Sequence, residues 1–352
     1  RTACRCHHTM AGRPSGRPIW AARFALDAGI QGCGEKGRCA VLLALRGYGT
    51  SCIVEVYFSD QFDLQLPAGH RFPGHKYGML RQALVDEKVI DETHLRRAMP
   101  VEVSTVLLAH NADYVSAIEE GTIEPAAMRR IGFPWSPRIP LRARATLGGA
   151  IAAAEAALHH GFAGQLAGGT HHAHGGFGSG YCVYNDFAVV ARHLIVSGTT
   201  RRLAIIDLDV HQGDGNAAIL GADENIYILS VHGEKNFPFR KYPSTHDVAL
   251  PDDTGDGAYL DALDDALAKV WAFSPELVLY QAGVDPLAED RLGRLSLSFD
   301  GLMARDRLVF AGAAAHGIPV SMAIGGGYAD PIELSVEAYV NTWRAARGVY
   351  RW

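Results

Sequence analysis

The chain has few cysteines for its length, no long apolar run and no excess of basic charge, and each shortage removes a class of protein. Six cysteines in 352 residues, five of them before residue 53, are too sparse for the disulfide lattice of a small secreted domain, so reduced thiols are expected. No stretch approaches the roughly 18 consecutive apolar residues that a membrane-spanning helix needs. The run from Cys39 to Leu45 is too brief, and lies too far in for a signal peptide. A cytoplasmic protein without membrane contact is the expectation. The formal charge of −5 opposes direct nucleic-acid binding, which needs a basic face to neutralise phosphates. The first fifty residues hold eight Lys/Arg and two Asp/Glu, leaving 25 basic and 36 acidic residues in the remainder. Such an acidic body suits cationic substrates such as lysine tails or polyamines.

What is present is an ordinary globular composition, 48% apolar and 20% charged, able to bury a large core. The length allows two domains, but α/β enzymes commonly reach it as one, so one domain over residues 54–352 is expected. Residues 1–53 read as an atypical, flexible extension. Cys4, Cys6, His7, His8, Cys33 and Cys39 offer the atoms of a metal knuckle in a spacing that matches no familiar zinc pattern. The Arg-rich, acid-poor composition also fits a targeting peptide. From Val54 onward, short β-branched runs alternate with helical stretches, the pattern of a mostly parallel sheet with helices on both faces. Strands are expected at Val54–Phe58, Leu203–Leu208, Ile226–Val231, Leu277–Tyr280 and Pro319–Ile324, and helices at Ala143–His159 and Tyr259–Ala272. The last four strands run into polar or Gly-rich clusters. Ligands of open α/β sheets bind beyond the carboxyl ends of the strands, so these clusters should converge on one crevice.

The stretch Ala204 to Gly215, reading AIIDLDVHQGDG, carries the most chemistry. A buried, unpaired carboxylate costs several kcal/mol at least, so carboxylates entering an apolar strand need a cation. Strand alternation puts Asp207, Asp209 and His211 on one face. Metal coordination explains that grouping; a network of salt bridges and caps is the plainer alternative. GGTHHAHGG from Gly168 places adjacent histidines among glycines, fitting either imidazoles aimed into a cavity or a solvated loop. Asp285 and Tyr328 each follow an apolar strand. Alone, such an aspartate more often caps a helix and such a tyrosine more often packs.

Taken together, HRFPGHKYGML from His70, GFPWS from Gly132, GGTHHAH from Gly168, GSGYCVYND from Gly178, DLDVHQGDG from Asp207, SVHGEKNFPF from Ser230, AGVDPLAEDRLGRLSLS from Ala282 and GGGY from Gly325 resemble the histone deacetylase family of the arginase/deacetylase superfamily. They look most like class IV deacetylases and their bacterial relatives. The resemblance implies a single-domain α/β fold and a metal-dependent hydrolase of acyl-lysine or acylated small amines. It implies zinc on Asp209, His211 and Asp285, a set that iron(II) also tolerates. His171 and His172 match the tandem acid/base histidines, with Asp207 expected against His171 and Asp214 against His172. Tyr328 matches the donor to the substrate carbonyl. Gly180, Tyr181 and Phe237 or Phe239 are implied to line the substrate tunnel. A structural K+ or Na+ is implied at Asp207, Asp209, His211, Ser230 and Val231.

The first fifty residues have no counterpart in the family pattern. Where class I relatives anchor substrate with an acidic loop residue, the stretch from Gly132 to Arg144 offers Arg138, Arg142 and Arg144. Two other readings compete. A ureohydrolase of the same superfamily would bridge two manganese ions with several aspartates, whereas here His211 stands between the carboxylates. A catalytically silent acyl-lysine-binding or scaffold module would not need both histidines, all three ligands and Tyr328. Oligomeric state is not legible.

Overall fold

The computed structural model describes residues 53–352. The expected extension, with its cysteines and histidines, lies outside the described residues except for Ile53. Eight strands form one sheet: β1 Val56–Phe58, β2 Leu95–Arg97, β3 Phe162–Gln165, β4 Leu203–Asp207, β5 Ile226–Gly233, β6 His246–Leu250, β7 Leu277–Gln281 and β8 Val320–Ala323. Their order is β2-β1-β3-β8-β7-β4-β5-β6, and every pairing is parallel.

Alternation along the strands builds two cores. Ala204 and Ile206 of β4, with Val278 and Tyr280 of β7, face the helices Lys76–Asp86, Asp256–Phe273, Phe299–Ala315 and Ile332–Tyr350. Leu203 and Ile205, with Leu277 and Leu279, face the helices Arg138–His160 and Asp186–Val196 on the other side. A sheet covered on both faces needs apolar residues at successive positions, and both strands read that way.

The expected strands correspond to β1, β4, β5, β7 and β8, with ends shifted by a few residues. β2, β3 and β6 were not anticipated. β3 reads FAGQ, without a β-branched residue, because it runs beneath a large side chain: a Cβ on Gly164 would sit 3.1 Å from Trp343 Cη2 and 3.0 Å from Met322 O. β6 is an edge strand with alternating exposure, hidden by its polar residues. The helix expected at Ala143–His159 starts five residues earlier, inside the stretch from Gly132 to Arg144. It begins at Arg138, just after Pro137, and ends at Gly161, whose φ of 85° continues no helix.

The strand order positions the site. β3, β8, β7 and β4 are consecutive neighbours, and their carboxyl ends lead into GGTHHAH, GGGYA, AGVD and LDVH. Four adjacent strand ends therefore deliver the chemistry-bearing clusters to one edge of the sheet.

Candidate active site

Beyond β4 and β7 the chain brings Asp209, His211 and Asp285 together, with one ligand atom from each lying within 4.8 Å of the others. His211 Nδ1 is 3.0 Å from Asp209 Oδ1 and 3.2 Å from Asp285 Oδ2. Both carboxylates are essentially buried. Burial and the charge of Asp209 push Asp285 up to about 7, as expected of two carboxylates sharing a dry site that a cation would neutralise. Two carboxylates and one imidazole are a donor set for zinc or a similar divalent ion that leaves coordination positions open. The remaining lone pairs are occupied from behind: Val210 N–H donates to Asp285 Oδ1 at 2.8 Å, and Gly326 N–H to Asp209 Oδ2 at 2.7 Å.

His171 and His172 stand beside this triad with ring centroids 4.1 Å apart. His171 Nδ1 lies 2.8 Å from Asp207 Oδ2, and His172 Nδ1 2.6 Å from Asp214 Oδ1. A carboxylate accepts, so each ring donates through Nδ1 and keeps Nε2 for the cleft. Burial disfavours the His171 cation, but the charges of Asp207 and Asp209 outweigh it and raise His171 to about 9. His172 moves the other way. Burial and the charge of His171 lower it to about 4, against the pull of Asp214.

The histidine loop is held by Asp186, a fully buried carboxylate that sequence reasoning overlooked. It accepts from Gly169 N at 2.7 Å, from Thr170 N at 2.9 Å and from Thr170 Oγ1 at 2.9 Å. Only its place at the end of the YND run hinted at this. His174 was likewise assigned nothing, yet its Nε2 lies 2.9 Å from Asp214 Oδ2.

Tyr328 enters from β8. Burial, with neighbouring Tyr77 and Tyr339, holds its phenol far above the ordinary range, so it stays an O–H donor. Beneath its ring, 4.7 Å from the centroid, lies Nζ of Lys76. That ammonium donates to Gly327 O at 2.9 Å, and burial lowers it to about 8 against the pull of Asp285, Asp290 and Asp209. Lys76 lies in a helix whose sequence gives no sign that its one lysine turns inward. Gly326 must be glycine, since a Cβ there would meet Asp285 Oδ2 at 2.1 Å.

Asp209, His211, Asp285, His171, His172 and Tyr328 line a cleft of about 1250 Å³. Gly180, with φ of 52°, passes close to His172, and an added Cβ would lie 2.7 Å from its ring. Tyr181 lies 6.0 Å from Tyr328 between ring centroids. Phe237 stands edge-on to His172 at 4.9 Å, whereas Phe239 is 91% exposed at the mouth. Of these two phenylalanines, only Phe237 packs on a site histidine. The β4–β5 register sets Asp207 against Ser230, and Ser230 Oγ is 3.1 Å from His232 Nδ1. Arg142 lines the cleft, donating to Ser59 O at 2.6 Å beside the ring of Tyr77. Arg144 instead pairs with Glu119 at 3.4 Å, and Arg138 donates to Asp63 O at 3.3 Å.

Comparison with known proteins adds five findings. The sequence profile described as "Histone deacetylase domain" matches residues 70–343. An uncharacterized protein of Picosynechococcus sp. is 42% identical, covering 84% of this chain and 99% of that protein. Histone deacetylase 2 of Arabidopsis thaliana is 30% identical over 78% of this chain and 74% of its own length, and acetylpolyamine amidohydrolase of Mycoplana ramosa 27% over 65% and 80%. Among solved structures, an HDAC homolog complexed with SAHA superposes with a TM-score of 0.71 at 25% identity, covering 85% of this chain and 88% of that one.

Proposed function

The chain belongs to the histone deacetylase family and is a hydrolase of non-peptide C–N amide bonds; from that premise we propose that it is a zinc-dependent deacylase of acyl-lysine or of an acylated small amine. The observation that carries this reading is the meeting of Asp209, His211 and Asp285 on the floor of a cleft that also holds His171, His172 and Tyr328. A divalent ion held by those three ligands supplies Lewis acidity toward the amide oxygen and acidifies water.

The protein's own groups do the rest. His172, kept neutral with Nε2 unprotonated, is the base that takes a proton from the attacking water. His171, whose Nδ1 donates to Asp207, is the acid that protonates the departing amine. Opposite pKa displacements of two neighbouring groups support this division of roles. Tyr328 donates to the amide oxygen, and the bond strengthens as negative charge develops there, so it favours the transition state over the ground state. Gly180, Tyr181 and Phe237 form the walls along which the acyl-bearing arm enters. Phe239 meets whatever lies outside. A structural K+ or Na+ belongs at the ends of β4 and β5, with Asp207, Asp209, His211, Ser230 and Val231 as its neighbours.

Relatives named as a histone deacetylase and as an acetylpolyamine amidohydrolase set the substrate range to be tested. Zinc titration tests the ligand assignment directly. Wild-type protein should retain one equivalent per chain after desalting, and Asp285→Ala should retain none. Equal retention by both would remove Asp285 from the metal site.

A further inference from the structure

Helix Phe299–Ala315 carries a second charged cluster, behind the metal ligands rather than in the cleft. Arg305 and Asp306 are both fully buried. Asp306 Oδ1 is 2.9 Å from Arg305 Nε and 2.7 Å from Nη2. The same carboxylate accepts from Tyr280 Oη at 2.5 Å and Thr342 Oγ1 at 2.6 Å. The free edge of the guanidinium points to the sheet, where Nη1 donates to Gly283 O at 2.5 Å and Leu208 O at 3.3 Å. Leu208 immediately precedes Asp209, and Gly283 stands two residues before Asp285. Both carbonyls lie just past the last paired residues of β4 and β7, Asp207 and Gln281, where the ladder no longer supplies donors.

An ion pair removed from water in this way is poor value as a source of stability, because apolar residues of similar volume commonly serve as well or better. Its placement indicates another use. Two carboxylates arriving from different strands repel one another, and a divalent site needs them held close before the ion arrives. We infer that Arg305, with Asp306 as its counter-ion, is a positioning residue that staples the ends of β4 and β7 and so fixes the spacing of Asp209 and Asp285. Nη1 alone reaches both carbonyls while Nε and Nη2 hold Asp306, a division between two edges of one rigid plane that the single nitrogen of an ammonium cannot reproduce. This inference rests on the metal-ligand assignment made above.

The test uses the full chain and the metal alone. Zinc affinity is measured by chelator competition, ligand geometry from the visible spectrum of the cobalt(II)-loaded protein, and fold integrity from the melting of the metal-free protein. Arg305→Met combined with Asp306→Asn removes both charges and leaves an amide to accept from Tyr280. Arg305→Lys keeps the charge but loses the fork, and it carries the test if the double variant fails to fold. The double variant should bind zinc roughly 10- to 100-fold more weakly with an altered cobalt spectrum, and Arg305→Lys should fall between it and wild type. Folded variants with wild-type zinc affinity and an unchanged cobalt spectrum, even with lowered melting temperature, would reduce the pair to a structural role and overturn the inference. Asp285→Ala is the control: zinc binding that it does not weaken would instead overturn the ligand assignment, and this inference with it.

Discussion

At the scale of single residues, Tyr328 separates metal binding from transition-state stabilisation. Its hydroxyl is argued to donate only to the substrate oxygen, so Tyr328→Phe should lower kcat by roughly 10²- to 10³-fold, the usual cost of one such donor, while zinc affinity stays within a few-fold. Steady-state kinetics beside a zinc titration would show it, and an unchanged kcat would remove the role. The histidine pair makes a second demand. His172→Ala and His171→Ala should each lose most turnover with zinc still bound, and full activity in both would end the acid/base assignment. Asp207, Asp209 and His211 stood out in the sequence as polar groups at the end of an apolar strand, whereas Asp285 and Tyr328 were singled out by the family resemblance and not by their position alone. Lys76, Asp186, His174 and Arg305 were not singled out. Each acts through partners 16 or more residues away in the chain, and a charge on an amphipathic helix or in a polar loop looks the same in sequence whether it faces solvent or a carbonyl.

At the scale of elements, the site is a product of strand order. The sequence announced the strands that end in polar clusters, because β-branched runs such as AIID and LVLY stand out. It hid β3, whose Ala163 and Gly164 answer to the bulk of Trp343 and not to strand propensity. Neither the register nor the adjacency of β3, β8, β7 and β4 could be read, since both depend on pairings between residues 42 to 158 positions apart. The turn after β8 gives a prediction at this scale. Gly326→Ala drives a methyl into Asp285 Oδ2, so zinc affinity should fall about 10- to 100-fold with only a modest loss of melting temperature. Chelator competition and thermal melting together check it, and wild-type zinc affinity in this variant would show that the GGGY turn does not brace the ligands.

At the scale of the whole molecule, buried histidines tie the fold to pH. Among the described residues, burial lowers both His110 and His232 from the ordinary 6.5 to about 4. His110 Nε2 accepts from the Asn185 N–H at 2.8 Å, a bond that protonation would break. The unfolded chain takes up these protons near pH 6.5, whereas the folded chain resists until about 4. Stability is therefore fully present above 6.5 and is lost as pH falls through that window. Each group contributes at most roughly 3 kcal/mol, so the share of stability carried by these two histidines should fall between pH 7 and pH 5. His110→Gln, which keeps an acceptor without the titration, should flatten the fall in urea midpoint; an unaltered slope would contradict the assignment. No helix of the described residues is long and apolar enough to cross a membrane, and the acidic balance beyond residue 50 is compatible with a cationic amine substrate. The claim that gathers all three scales is metal-dependent amide hydrolysis. It is tested most directly by amine release from acetyl-lysine peptide, myristoyl-lysine peptide and acetylpolyamine, with chelator and then with zinc restored. Cleavage of at least one substrate, abolished by chelator and recovered with zinc, is the predicted result; folded, zinc-loaded protein that releases no amine from any of them would contradict it.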